Sequence, residues 1–299
     1  MTIALNTQVQ EVPVAPASPF VDFWNEILAP KFIRYRHVLV GGLSRHSAAV
    51  LPELNVRPGS RILDVGCGFG DTAIHLAERT GPSGDVVGVD CCNAFMEFGR
   101  DEALAGDIGN VRFVECDIER GFEEAAFDFV FARFGTMFFV NPVAGLRAMR
   151  NCLRPGGELA HIVWRERADN PWLIAARDIV RQYLPAPGED ALTCGPGPFS
   201  MADEESTRLK MQAAGFVDIA FKRIDAKVLV GNDIEDAINF QLAIGPAGET
   251  FREAGDLAEE KRPQIVAALT ELFREVEERE GGLWMDSSSW LITARAPAN

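Results

Sequence analysis

Long apolar runs are missing from this sequence. Nowhere do its 299 residues approach the roughly 18 consecutive apolar positions that a bilayer-crossing helix needs, so no membrane span is expected. The opening MTIALNTQVQEVPVAPASP has neither a basic start nor a sustained apolar stretch and is not read as a secretory signal. Its prolines and small residues predict a flexible tail over residues 1–17. Positive charge is scarce as well: 29 Lys and Arg against 44 Asp and Glu leave a net charge of −15. A phosphate backbone needs a basic surface, so nucleic acid is not an expected partner. Six cysteines are present, but none forms a CxxC pair and no histidine spacing completes a zinc site. The expectation is a reduced, cytoplasmic protein with no structural metal.

What is present is an alternation of strands and helices. RILDVG (61–66), DVVGVD (85–90), VRFVECD (111–117), FDFVFAR (127–133) and ELAHIVW (158–164) read as five strands. Between them lie helical segments over 71–79, 93–105 and from Asn141-Pro142 to the Arg154-Pro155-Gly156-Gly157 stop. Asp71 is a plausible N-cap, and Asn141-Pro142 is the usual cap followed by proline at the first helical position. This spacing predicts a doubly wound, Rossmann-like α/β sheet, mostly parallel, with its strands covered on both faces. Residues 19–54 read as helices broken at Gly41-Gly42. Beyond Trp164, helices are expected over 171–183, 204–214 and 233–280, a strand over 216–230 and a last strand over 288–296. The resulting plan is a helical segment at 18–56, an α/β core at 57–232 with a loop at 165–200, a helical insertion at 233–281 and a final core strand at 282–299.

Ligands of open parallel sheets bind beyond the C-terminal ends of the strands, and there the chain reads LDVGCGFGDTAIHLA (63–77). The glycines permit a sharp turn and close backbone approach of a ligand. The dinucleotide fingerprint requires GxGxxG, whereas here Gly66, Gly68 and Gly70 are followed by Asp71, one place early. The GK[ST] of a phosphate loop is absent. Asp64, two residues before the first glycine, would repel a pyrophosphate and suits a ligand carrying an amino group and a sulfonium. Hydrogen bonding of Asp64 to loop amides is the alternative. Asp90, about 20 residues on, ends the second strand where a carboxylate can accept both hydroxyls of a ribose. Asp117 ends the third, where a carboxylate can take an adenine amine while Ile118 packs against the ring. A helix cap at Asp90 and a solvated turn residue at Asp117 are the competing readings.

LDVGCGFG, VVGVD and FVECDI, together with FDFVFARFGTMFF and LRPGGELAHIVW, resemble the class I S-adenosylmethionine (SAM)-dependent methyltransferases, and within them the ubiquinone/menaquinone C-methyltransferases. The resemblance spans roughly residues 57–164, with weaker echoes to 230 and in the last strand. It implies a seven-stranded sheet with the last strand antiparallel, SAM as cofactor and methyl transfer as the activity. It further implies Gly66 and Gly68 at the methionine part of SAM, Asp90 on the ribose, Cys91 on the adenine face and Asp117 on the adenine amine; Cys67, between the glycines, Asp64 and Ile118 complete the expected cofactor-binding set. Arg133 would lie near the amino-acid end or the acceptor, unless it simply pairs with an acidic neighbour. Segments 18–56, 165–200 and 233–281 would form a lid.

No catalytic dyad is legible. In-line transfer from a sulfonium mainly requires donor and acceptor aligned about 3 Å apart, and a base matters only when the acceptor must lose a proton. His75 and His161 read as structural, His37 and His46 as residues that could reach an acceptor, and Tyr35 and Arg36 as candidates for the cofactor carboxylate. The [DN]PPY motif of amino-methylating nucleic-acid enzymes is absent. Twenty phenylalanines against two tyrosines, several beside strand ends (Phe69, Phe134, Phe138, Phe139), suggest a small, apolar or aromatic acceptor. An NAD(P)-linked oxidoreductase and a non-catalytic SAM-fold binding protein are the alternatives. The acceptor's identity, the atom methylated and the oligomeric state stay open, a homodimer being one option.

Overall fold

Five neighbouring strands of the sheet run parallel: β1 (Arg61–Val65), β2 (Asp85–Asp90), β3 (Val111–Glu115), β4 (Phe127–Arg133) and β5 (Leu153–Trp164). The computed structural model describes residues 19–298, so the tail expected over 1–17 lies outside the described residues. Ile62, Leu63, Val86, Val87, Phe127, Val130 and Phe131 are fully shielded from solvent, which explains why these strands read as near-continuous apolar runs rather than alternating ones.

Two long strands complete the sheet, β6 (Val217–Gly231) and β8 (Gly282–Arg295). The strand order is β3-β2-β1-β4-β5-β8-β6, and β8 is antiparallel to both of its neighbours. The expected mostly parallel sheet with an antiparallel last strand is therefore present. One element is additional: β7 (Glu277–Arg279) pairs with the start of β8 as a hairpin. It was expected to be helical, but Glu277-Glu278-Arg279 is followed by Gly281 at φ +75°, a turn conformation that suits a hairpin.

The helices that flank the sheet are α4 (Asp71–Thr80), α5 (Asn93–Ala105), α6 (Pro142–Cys152) and α8 (Glu204–Ala214). Asn141 caps α6 through its side chain, which accepts the Ala144 N–H, and Gly215 ends α8 in the left-handed conformation, both as the sequence predicts. Asp71 differs from expectation. Gly70, at φ +84°, is the N-cap of α4 and Asp71 is its first helical residue, which frees the Asp71 carboxylate for another partner.

The remaining helices lie over the C-terminal end of the sheet and its β6 edge. The N-terminal group is α1 (Pro19–Phe23), a π-helical turn (Trp24–Leu28), α2 (Ala29–Arg34) and α3 (Arg36–Val50). Contrary to the reading of Gly41-Gly42 as a break, α3 runs straight through both. A Cβ on Gly42 would sit 2.9 Å from the Leu229 carbonyl oxygen, so this glycine lets the helix press against β6. After β5 comes α7 (Pro171–Val180), and after β6 come α9 (Ile234–Ala243), α10 (Gly245–Glu253) and α11 (Asp256–Arg274). The single helical stretch expected over 233–280 is thus cut at Gly245 and Gly255, both at positive φ.

Candidate active site

The glycine turn follows β1, and its shape is set from β2. Asp90 ends β2 with Oδ2 accepting the Gly68 N–H and Oδ1 accepting the Cys92 N–H, each at 2.9 Å. Gly66 and Cys67 also donate to the Val89 carbonyl. Gly66 and Gly68 both lie at positive φ, and a Cβ on Gly68 would point into open space. A smooth backbone surface therefore faces a cavity of about 210 Å³. Burial raises the Asp90 carboxyl above its ordinary range, while the amide donors act in the opposite direction.

Gly66, Cys67, Gly68, Asp90, Cys91, Asp117, Ile118 and Arg133 all line this cavity. Strands far apart in sequence are brought together by the parallel register, which sets Val65 beside both Val89 and Ala132. Asp117 accepts the Glu119 N–H through Oδ1, and its Oδ2 is buried without a hydrogen-bond partner. A buried, unsatisfied carboxylate oxygen in a cavity wall is costly unless a donor arrives to meet it. Arg133 donates to Asp71 at 2.7 Å and to Ser47 at 2.9 Å. This anchors α4 and α3 to the end of β4, realising the acidic-neighbour reading while still placing Arg133 in the wall.

Asp64 is the exception among the expected site residues. It is fully buried, accepts the Thr72 hydroxyl at 2.6 Å and does not line the cavity. Its side chain points beneath the turn, and its other oxygen, Oδ1, has no partner. Burial pushes its carboxyl up to about 7, opposed by the Thr72 hydrogen bond and by Arg133.

A second cavity, about 530 Å³, adjoins the first. The two share Trp24, Phe32, Leu39, Leu43, Phe134 and Phe138. Trp24 meets the rings of Phe32 and Phe138 edge-on at 5.3 and 5.2 Å. Phe134 stacks on Trp164 at 3.8 Å and adopts φ +56°. That conformation is disfavoured for a bulky side chain, and the residue that adopts it lines both chambers. It is held by the Phe134 N–H donating to the Ile162 carbonyl.

None of the four histidines lines either chamber. His37 pairs with Asp236 at the surface. His46 is buried between Ser287 and Ser289, each at 2.8 Å. Because Ser287 gives its own proton to the Ala226 carbonyl, it must accept from Nε2, which places a proton on Nε2 of His46. Burial depresses its pKa to about 4, helped by Arg133. His161 is buried in β5 against Thr136, with burial lowering its pKa to about 3. Tyr35 packs on Phe240, and Arg36 pairs with Glu102 beside Phe98, so neither lines the cavities. Glu119, unremarked in the sequence, lines the first cavity and accepts the amides of Val140 and Asn141. Its position right after Asp117-Ile118 was the available signal.

Comparison with known proteins agrees with this geometry. Residues 62–157 match the family described as "Methyltransferase domain". The ubiquinone/menaquinone biosynthesis C-methyltransferase UbiE of Ectopseudomonas mendocina is 30% identical over 231 residues, covering 74% of this chain and 90% of that protein. The chain belongs to the class I SAM-dependent methyltransferases. Within them this methyltransferase is similar to the UbiE proteins. A second, from Pseudomonas putida, is 35% identical over 153 residues, 50% of this chain and 60% of that protein. Two solved structures share the methyltransferase's fold. Phosphoethanolamine N-methyltransferase 2 of Haemonchus contortus, solved with SAM, has a TM-score of 0.56 at 18% identity, covering 96% of this chain and 61% of that one. A methyltransferase of Bacillus halodurans has a TM-score of 0.53 at 18% identity, covering 84% and 98%. The enzyme uses SAM as its methyl donor, and nothing in these comparisons supports the NAD(P)-linked alternative.

Proposed function

We propose that the first chamber holds SAM and the second holds the acceptor, with the shared aromatic wall marking the path of the methyl group. The observation that carries this reading is the unsatisfied Asp117 Oδ2 on the same cavity wall as the open face of Gly68. One offers an acceptor for an adenine amine and the other a surface that only a closely approaching ligand fills. Bound SAM supplies an electrophilic methyl on a sulfonium.

The chain's own residues position and enclose. Asp90 stiffens the glycine turn by accepting two backbone amides, and each of its oxygens keeps a lone pair for a ribose hydroxyl. Ile118 and Cys91 offer apolar faces to the base, and Cys67 lies between the two glycines. Asp64 acts from beneath, with no direct contact, by tying the end of β1 to α4 through Thr72. The rings of Trp24, Phe32, Phe134 and Phe138 exclude water from the junction, where alignment supplies much of the acceleration. Of the described residues, 19–56, 165–200 and 233–281 form the lid over the rest of the 57–232 core, closed by the final strand in 282–298; all three segments contribute residues to the second chamber.

The acceptor is a small molecule with an apolar or aromatic body. The aromatic junction supports this, as does the quinone-biosynthesis name carried by the relatives. Among the described residues no helix is long and apolar enough to cross a membrane, and a cytoplasmic site of action is part of this proposal. Transfer of labelled methyl from SAM to an aromatic acceptor tests it. Phe23→Ala and Phe199→Ala, at residues that line only the second chamber, should lower turnover with little change in affinity for S-adenosylhomocysteine, whereas Asp117→Ala should do the reverse. Equal loss of cofactor binding in all three would overturn the two-chamber assignment.

A further inference from the structure

The second chamber carries a charge pattern opposite to that of the whole molecule. Against a net charge of −15, its lining includes Lys31, Arg167, Arg177, Arg181 and Arg252 and a single carboxylate, Glu249. Helix ends explain part of this. Arg177 and Arg252 lie in the last turns of α7 and α10, where cations complement the helix dipole, and Arg177 pairs with the adjacent Asp178. Lys31 also lies in the last turn of its helix, the short α2, but it is partly buried and makes no ion pair among the described residues. Burial lowers its pKa, and the facing charge of Arg252 lowers it further. Arg252 is fixed at the site: it donates to the Leu192 carbonyl, pairs with Glu253 and covers the Phe23 ring. Arg167, over the Phe199 ring, and Arg181 are likewise without a carboxylate partner among the described residues. The buried indole Nε1–H of Trp172, also in the lining, has no acceptor. Like charges in a partly desolvated wall that also carries an orphan donor are satisfied by one kind of visitor, an anionic oxygen.

Building on the two-chamber reading, we infer that the methyl acceptor is an apolar acid: its body lies at the aromatic junction and its carboxylate, or an equivalent anionic group, is held by Lys31 and Arg252. The basic wall then does two things. It pulls an anionic acceptor into a strongly acidic protein, and it fixes which end of that acceptor faces the transferable methyl.

The test uses the full chain saturated with S-adenosylhomocysteine and calorimetric titration of three matched pairs: 2-naphthoate, biphenyl-4-carboxylate and decanoate, each against its carboxamide. The acid should bind about tenfold or more tightly than the amide in at least one pair, as charge-assisted hydrogen bonds require. Lys31→Gln and, separately, Arg252→Gln should reduce that preference to roughly threefold or less while leaving affinity for S-adenosylhomocysteine within about twofold. Lys31→Gln carries the test if loss of the Leu192 and Phe23 contacts unfolds the Arg252 variant. With S-adenosylhomocysteine bound, no preference for the acid in any pair, or no binding of either member of all three, overturns the inference. Failure of the wild-type chain to bind S-adenosylhomocysteine would instead overturn the cofactor assignment beneath it.

Discussion

Asp90 Oδ2 accepts the backbone N–H of Gly68 at 2.9 Å, joining the tip of β2 to the middle of the glycine turn. Through this bond one carboxylate shapes the surface on which the cofactor lies and presents its remaining lone pairs to that same ligand. Asp90→Ala should therefore weaken binding of S-adenosylhomocysteine by two effects at once, loss of ribose contacts and loosening of the turn. A drop of about 100-fold or more is expected from two to three charge-assisted hydrogen bonds, read by calorimetry. Unchanged affinity in a folded variant would remove the ribose assignment.

Asp117 should confer selectivity for the adenine amine. Replacing the 6-amino group with oxygen puts an acceptor opposite an acceptor. The wild-type chain should prefer S-adenosylhomocysteine over S-inosylhomocysteine by about tenfold or more. In Asp117→Ala that ratio should fall towards one, and a persistent ratio would place the base elsewhere.

Gly68 and Gly42 are glycines for different reasons, and their variants should separate. Gly68→Ala forces a left-handed φ of +53° on a residue whose Cβ meets no protein atom; it should cut cofactor affinity while costing only about 1 kcal/mol of stability. Gly42→Ala sets a Cβ against the Leu229 backbone and should destabilise by about 1–3 kcal/mol, as overpacking does. Thermal and denaturant unfolding together with cofactor titration distinguish the two.

Two buried groups should give the stability curve opposite slopes. Asp64 has its folded pKa raised to about 7, so the folded state holds a proton that the unfolded state releases. Its contribution is complete below about pH 4 and is lost as pH rises towards 7. His46 has its folded pKa lowered to about 4, so its contribution is complete above the unfolded value near 6.5 and is lost as pH falls towards 4. Asp64→Asn should flatten the decline between pH 4 and 7, measured by denaturant unfolding at several pH values. Nitrogen NMR at pH 6 should show His46 neutral with its proton on Nε2; a charged ring would contradict the lowered pKa, and a proton on Nδ1 alone would contradict the serine clamp.

The strands and the glycine turn were legible because each is a local pattern: an apolar run of sheet length, and glycines where the backbone must bend. Asp90, Asp117 and Arg133 could be placed because they end consecutive elements of a regular sheet. Asp64 does not line the cavity, which the motif could not show, because strand alternation decides the face a side chain takes and the motif does not state which face meets the ligand. Gly41-Gly42 read as a break because its true cause, contact with Leu229, lies far away in sequence. The second chamber was invisible for the same reason. Lys31, Trp172 and Arg252 come from three separate helices, and no single window of sequence contains the charge pattern they make together.

A crystal structure of the complex with S-adenosylhomocysteine tests the central claim most directly. It should show the adenine amine within hydrogen-bond distance of Asp117 Oδ2, the ribose at Asp90 and the sulfur over Gly66–Gly68, pointing towards Trp24 and Phe138. A nucleoside bound anywhere else, with the Asp117 oxygen still unpaired, would contradict it.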